Sequence, residues 1–306
     1  MQSFESLSQV TPIPALDTKD EHARKLRKES NAIYRANRKA RVRECIEIHH
    51  NAVAAEKARL KAKGKAYTNL EIGFTKRRVL RDKKKPKVIN LPLEFATILK
   101  GCEEFIDNPS RFPALDIWVS EMRNRQAREL VAKVLACLLS NTDMISGRVG
   151  KPTEAGMKTL SYYQLQEDYA LRFGEYIAPK SFGKAIKYLK QAGYFHSEAI
   201  NIRMEDGEGA VRSAPAYKQF SERFFSDLKV VRYSNVAESI VATRKRQMKE
   251  GLRHTWVSFR EIANGVRQIF LNANKFESIA ESTGRVFEAY LPLPLPLPLP
   301  LHPNPH

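Results

Sequence analysis

Cysteine is scarce in this chain, whose 306 residues include only Cys45, Cys102 and Cys137. The three are far apart, odd in number and in no CxxC pattern, which excludes a disulfide framework and a structural zinc site built on cysteines. No run of about 18 uncharged apolar residues is present, so we expect no membrane-spanning helix and no membrane partner. The first residues lack the basic and apolar stretches of a secretory signal. These absences predict a soluble, cytoplasmic protein.

Motifs of catalysis are also absent. The chain has no GxxxxGK[ST] loop and no evident Ser/His/Asp or paired-carboxylate arrangement. A DNA-nicking enzyme would need a His-hydrophobe-His metal motif and a tyrosine nucleophile. His49 and His50 are adjacent, so on a helix they diverge by about 100° and cannot chelate one metal together. Tyr162 and Tyr163 are expected to pack in a core. We therefore predict that the chain is not an enzyme and has no catalytic residue, no metal and no other cofactor.

Positive charge is abundant and unevenly placed. The chain has 52 Lys and Arg against 34 Asp and Glu, and residues 1–90 alone have 23 against 10. Two clusters dominate that excess: Arg35, Arg38, Lys39, Arg41 and Arg43, and Lys76, Arg77, Arg78, Lys83, Lys84 and Lys85. Because each basic side chain near a phosphate releases condensed counterions, this segregation favours a nucleic-acid-binding arm over a merely solvated surface.

The arm is predicted to span residues 1–89 and to be partly helical or disordered. A capping box at Thr18 and Glu21 opens a helical stretch that runs to Lys63, and residues 64–90 are expected to be a basic loop. An upstream helical domain is predicted over 90–159, with core helices at 93–105 and 125–139 and a short strand pair within 144–159.

Residues 160–232 have the order of a winged helix-turn-helix domain. A helix at 160–173 ends at Gly174, and Pro179 begins a second helix that ends before Gly193. Strand candidates at 194–203 and 210–220 flank a turn at 206–209. The fold class is therefore predicted as mainly α with small β wings, followed by C-terminal helices over 233–290 and a Leu-Pro tail of polyproline type at 291–306.

The second helix of this unit is the predicted recognition helix. Phe182, Ala185, Ile186 and Leu189 share the face expected to pack inward. The DNA-binding residues predicted on and near the opposite face are Lys180, Ser181, Lys184, Lys187, Tyr188 and Gln191. Arg203 and Arg212 flank the wing, whose acidic tip would repel phosphates. An ordinary amphipathic helix with solvated lysines is the alternative interpretation.

Three segments together resemble a known family: AIKYLKQAGYF at 185–195, LLSNTD with SGRV at 138–149, and RKRQMKEGL at 244–252. Their order resembles the winged-helix core of the RepA/RepZ plasmid replication initiators of the IncFII, IncB/I and IncL/M types, over about residues 90–275. The Leu-Pro tail departs from the Arg/Lys-rich C-terminal segment of IncFII relatives.

The resemblance implies a bacterial plasmid initiator that binds double-stranded origin DNA and brings in host DnaA and the helicase-loading machinery. It implies no catalysis by the chain itself, and a place in the cytoplasm with the plasmid or nucleoid. A winged-helix transcriptional repressor is the alternative, since repression and initiation use the same DNA contacts. An RNA-binding protein is a third interpretation.

Overall fold

The structure is a computed structural model that describes residues 18–62, 64, 68–81, 87–203 and 211–257. Contacts divide the chain into two compact units, Met1–Glu44 and Cys45–His306. The predicted arm boundary at residue 89 lies inside the second unit. The described residues are mostly helical with three two-stranded antiparallel sheets, which confirms the predicted class of mainly α with small β-hairpins. No helix among them is long and apolar enough to cross a bilayer.

The first helix, α1 (Thr18–Lys61), begins where the sequence predicts. In the first unit its apolar side chains are sparse: Ile33 and Tyr34 are exposed, whereas Val42 is buried. From Cys45 onward α1 belongs to the second unit, and there Cys45, His49 and Val53 are buried. The helix therefore has a mostly exposed first part and a second part that contributes to a core.

Residues 64–90 contain regular structure where the sequence predicts only loop. The short helix α2 (Asn69–Gly73) begins at a capping box, in which Thr68 and Glu71 bond each other's backbone N–H. Strands β1 (Arg77–Leu80) and β2 (Lys87–Asn90) pair antiparallel. The loop prediction was wrong here because strands of four residues with a basic composition give almost no periodic signal. Lys83, Lys84 and Lys85, between these strands, lie outside the described residues.

Helices α3 (Glu94–Glu104), α4 (Pro113–Trp118) and α5 (Arg125–Leu139) follow, with short 3-10 helices at Pro109–Arg111 and Ser120–Arg123. In α5 every residue from 131 to 139 is buried, and the helix contacts α3, α6 and α7. Both predicted core helices are confirmed. The predicted short strand pair is confirmed as β3 (Gly150–Thr153) and β4 (Gly156–Thr159).

The next elements are α6 (Tyr162–Phe173), α7 (Pro179–Gln191), β5 (Phe195–Arg203) and β6 (Val211–Phe220). This is the predicted order of helix, turn, helix, strand and returning strand. Gly174 caps α6 at a positive φ of 67°, where a side chain would be strained. Strands β5 and β6 form an antiparallel hairpin, and its connecting residues 204–210 lie outside the described residues.

Helices α8 (Glu222–Leu228) and α9 (Ser234–Lys249) follow, with a 3-10 helix at Val230–Arg232 between them. One apolar core connects α3, α5, α6 and α7 with the base of the β5–β6 hairpin. Phe224 of α8 stacks on Phe112 and Phe220, with ring centroids 5.6 and 4.4 Å apart. The predicted upstream helices and the region from α6 to β6 therefore share their core.

Candidate nucleic-acid interface

Helix α7 has two sharply different faces. Phe182, Ala185, Ile186 and Leu189 are buried in the core, as the helical spacing predicts. Pro179 occupies the first turn, where its missing N–H costs no helical hydrogen bond. Because the inner face is fully packed, the rotation of the helix is fixed and its outer residues point away from the core.

The outer face is basic. Lys180, Lys184, Lys187 and Gln191 are exposed, and Ser181 is half-buried. None of the three lysines forms a salt bridge within the described part of the chain. Lysine ammonium groups without a carboxylate partner can each donate hydrogen bonds to a phosphate.

Gly183 lies on this outer face as well, and sequence reasoning missed it. It is exposed, and a Cβ built on it would meet no atom within 4 Å. A glycine in a helix interior costs about 1 kcal/mol relative to alanine. Neither packing nor backbone strain inside the protein accounts for that cost. A bare Cα between lysines allows the helix backbone to come close to another molecule.

Tyr188 differs from its predicted position and is removed from the candidate DNA contacts. It is 3% exposed and belongs to the core. Its hydroxyl donates to Glu121 Oε1 at 3.0 Å. The Lys184 ammonium lies 5.6 Å from the centre of the Tyr188 ring, and its hydrogen bond with Tyr188 raises the pKa of Lys184. Tyr188 therefore holds Lys184 in place rather than facing DNA.

Gln191 is tied to the neighbouring helix. Its side-chain N–H donates to the backbone carbonyl of Trp118 at the end of α4, at 3.2 Å. Trp118 itself is exposed. No local pattern in the sequence indicates that α4 borders the outer face of α7, because the two helices are far apart in the chain.

The wing residues are described only by their backbone. In the β5–β6 register, Arg203 pairs with Val211 and Ile202 with Arg212, so both arginines lie at the end of the hairpin next to its connecting residues. The acidic tip at 205–208 lies outside the described residues. Contacts of Arg203 and Arg212 with phosphates therefore stay a prediction.

Arg77 and Arg78 have partners inside the protein. Arg77 forms an ion pair with Glu56, which is buried. The Arg78 guanidinium donates to the carboxylate of Asp168 at 2.9 Å and to the side-chain oxygen of Asn141 at 2.6 Å. The Arg78 side chain is 13% exposed, so we remove it from the candidate DNA contacts. Lys76 is half-buried.

The predicted DNA-binding residues of α1 lie in the first unit. Arg35, Lys39, Arg41 and Arg43 are exposed. Arg38 is half-buried, with its guanidinium 5.9 Å from the centre of the Tyr34 ring. The four exposed side chains form a charged helical surface that phosphates can reach.

A buried polar cluster connects α6 with the end of α5. Asn141 follows α5, and its side-chain N–H donates to Asp168 of α6 at 2.9 Å. Arg172, also of α6, donates to the hydroxyl of Ser140 at 2.7 Å. These hydrogen bonds give most of the buried polar groups a partner, although Arg172 Nε has none among the described residues. They connect α6 to the end of α5.

His49 and the cysteines have structural surroundings. Burial lowers the pKa of His49, whose Nδ1 lies 2.9 Å from the carbonyl oxygen of Leu171. Burial raises the pKa of the Cys102 thiol to about 12 and that of Cys137 well above its ordinary value. Within the described ranges, no three His, Cys, Asp or Glu side chains are grouped so that they could hold a metal ion.

Comparisons with protein families, with curated proteins and with solved structures found no match for this chain.

Proposed function

We propose that this chain is a plasmid replication initiator that binds double-stranded origin DNA through a winged helix-turn-helix unit. In this proposal α7 enters the major groove and the β5–β6 hairpin is the wing. The observation that carries it is the outer face of α7, where Lys180, Lys184 and Lys187 are exposed opposite a fully packed inner face. The order of α6, α7, β5 and β6 supports the same assignment.

The initiator role, rather than DNA binding alone, rests on the sequence resemblance and on the excess charge. Origin opening deforms DNA, and bending a site of 20–30 base pairs costs on the order of 1–6 kcal/mol. The exposed basic residues of α1 are a source of the additional phosphate contacts that offset this cost. By the same resemblance, host DnaA and the helicase-loading machinery are the proposed partners, and catalysis is left to them.

Removal of the three lysines tests the DNA-binding face. The variant Lys180→Ala/Lys184→Ala/Lys187→Ala should fold normally, because these side chains are exposed, and should bind fragments of its own plasmid more weakly. If all three contact phosphates, the log–log salt slope should fall by about 3, at ~0.9 per contact. Lys151→Ala/Lys158→Ala/Lys245→Ala is the matched control, since it removes the same charge from exposed lysines elsewhere on the second unit.

A replication assay separates initiation from repression. Supplied with plasmid DNA that carries its origin on a selectable circle, the protein should support autonomous replication in a host with functional DnaA. It should form no covalent protein–DNA link. Binding with repression of a nearby promoter but without replication would identify a repressor instead. Equal DNA binding by the triple variant and the wild type would reject α7 as the DNA-contacting element.

A further inference from the structure

Two large apolar side chains are exposed at consecutive positions at the end of α4. Ile117 is 70% exposed and Trp118 is 58% exposed. Their neighbours Ala114, Leu115 and Val119 are completely buried. The backbone below the pair is therefore anchored in the core while both side chains are left in water. A tryptophan that stays exposed on a rigid element loses the benefit of burying a large ring, which is typical of a contact surface.

This pair borders the basic face of α7. The Gln191 side chain donates to the Trp118 carbonyl at 3.2 Å, and the Tyr188 hydroxyl donates to Glu121, three residues beyond Trp118, at 3.0 Å. Lys187 is exposed one turn before Gln191 on the same helix. A polyanion that lies along the lysines of α7 would therefore reach the indole ring at the C-terminal end of that helix.

We propose that Trp118 stacks on an unpaired or unstacked nucleobase of the DNA that α7 binds. This inference rests on the proposed function. Aromatic rings stack on every base, and apolar side chains enter base steps that a protein kinks. The lysines hold the phosphates, and the anchored indole lies beside them for a base that leaves the stack.

The charge around the pair favours nucleic acid over protein as its occupant. Lys184, Lys187 and Lys190 are all exposed on the adjoining helix. Lysine is depleted in protein–protein interfaces, whereas an aromatic side chain among basic residues is the usual platform for single-stranded nucleic acid. Two acidic residues adjoin the pair: Glu121, which is bonded to Tyr188, and Asp116, which is exposed.

Tryptophan fluorescence can test this directly because the chain has only two tryptophans. The other, Trp256, packs on Tyr217 with ring centroids 4.8 Å apart. Trp256→Phe therefore leaves Trp118 as the single reporter. The probes are an oligothymidylate strand, a duplex with an internal bubble of unpaired thymines, and the same duplex fully paired, each labelled so that anisotropy reports binding. Thermal unfolding of every variant confirms its fold.

Binding of the bubble duplex should quench Trp118 fluorescence more than binding of the paired duplex does. Trp118→Ala should weaken binding to the bubble and to oligothymidylate by roughly 5- to 150-fold, the range for loss of one aromatic stack. Binding to the paired duplex should change little, and Trp118→Phe should retain most of the affinity. Leu93→Ala, which removes an apolar side chain that is 70% exposed at the start of α3, should behave as the wild type.

Three results would overturn the inference. In the first, all three probes bind with unchanged Trp118 fluorescence, and Trp118→Ala lowers the affinity for all of them equally or not at all. This result rejects base stacking but leaves DNA binding by α7 intact. A change in Trp118 fluorescence that follows protein concentration without DNA identifies the pair as an interface between copies of the chain. No binding of any probe by the wild type rejects the proposed function together with this inference.

Discussion

Arg244 of α9 donates a hydrogen bond to the carboxylate of Asp143, 101 residues earlier in the chain, at 2.5 Å. Asp143 lies in the LLSNTD segment after α5, and Arg244 begins the RKRQMKEGL segment of α9. Two of the three segments that carry the family resemblance are thus in direct contact. The Asp143 side chain is 6% exposed and that of Arg244 is 23% exposed, so water screens this pair only in part.

Loss of this contact should destabilise the protein. Arg244→Met keeps much of the apolar stem but leaves the Asp143 carboxylate without its charged partner. We expect the free energy of unfolding to fall by about 1.5–3 kcal/mol, the range for hydrogen bonds to charged groups. Urea unfolding of the variant and the wild type measures this difference in the free energy of unfolding. Lys245→Met, which removes the exposed neighbouring charge, should leave the urea midpoint unchanged, and an equal loss in both variants would contradict the role of the pair.

Arg78 should also matter for stability rather than for DNA binding. Arg78→Ala leaves the buried Asp168 carboxylate without its ion-pair partner, and removal of one member of a buried ion pair costs about 3–5 kcal/mol. Arg78→Lys should recover part of this loss, because one ammonium keeps the charge but cannot reach all the acceptors of a guanidinium. Thermal unfolding of both variants, with DNA affinity measured below the transition, distinguishes the two roles. If the Arg78→Ala protein were fully stable and bound DNA more weakly, Arg78 would be a DNA contact, as the sequence predicts.

Gly183→Ala should separate stability from binding. Alanine in the helix interior should stabilise the free protein by up to about 1 kcal/mol, because the added Cβ meets no atom within 4 Å. The same methyl group protrudes between the lysines of the outer face and should lower DNA affinity. Calorimetry measures the stability of the free protein, and fluorescence anisotropy on the same preparation measures its DNA affinity. A stabilised variant with unchanged affinity would mean that DNA does not approach the helix backbone here.

Truncation should reveal where the structural part of α1 begins. A protein that lacks residues 1–44 should remain folded and bind DNA with a smaller salt slope, since it has lost Arg35, Lys39, Arg41 and Arg43. The slope should fall by up to about 4, at ~0.9 per phosphate contact. A protein that lacks residues 1–61 should be markedly less stable, because it also loses the buried side chains of Cys45, His49 and Val53. Denaturant midpoints of the two truncations should differ, and equal midpoints would contradict this division.

Acid should weaken the fold through His49. Burial lowers the pKa of His49 below its ordinary value of 6.5, so His49 binds a proton more tightly in the unfolded chain than in the folded protein. The contribution of His49 to the free energy of unfolding is therefore fully present above about pH 6.5. It is lost as the pH falls toward the lower pKa that His49 has in the folded protein. His49→Gln should flatten the dependence of the urea midpoint on pH between neutral and mildly acidic conditions. His196→Gln, on the exposed side of β5, is the matched control and should leave that dependence unchanged.

The sequence by itself determined the longer helices and the apolar residues that pack on the inner face of α7. Its apolar residues recur at helical spacing, and Pro179, Gly174 and Gly193 mark the ends of elements through backbone preferences that act locally. The hairpin from β5 to β6 was also predictable, because its strands are long enough to show their pattern. Each of these features depends on residues close together in the chain.

Only the tertiary structure decided how the charged and aromatic side chains are used. Arg78 and Lys187 are both basic residues that the sequence predicts to contact DNA. In the structure Arg78 forms a buried ion pair with Asp168, 90 residues away, whereas Lys187 is exposed. Trp118 gives no local signal of bordering α7, because its contact with Gln191 spans 73 residues. Local patterns fix which side of a helix is apolar, but the partner of a polar group depends on which distant element the core brings beside it.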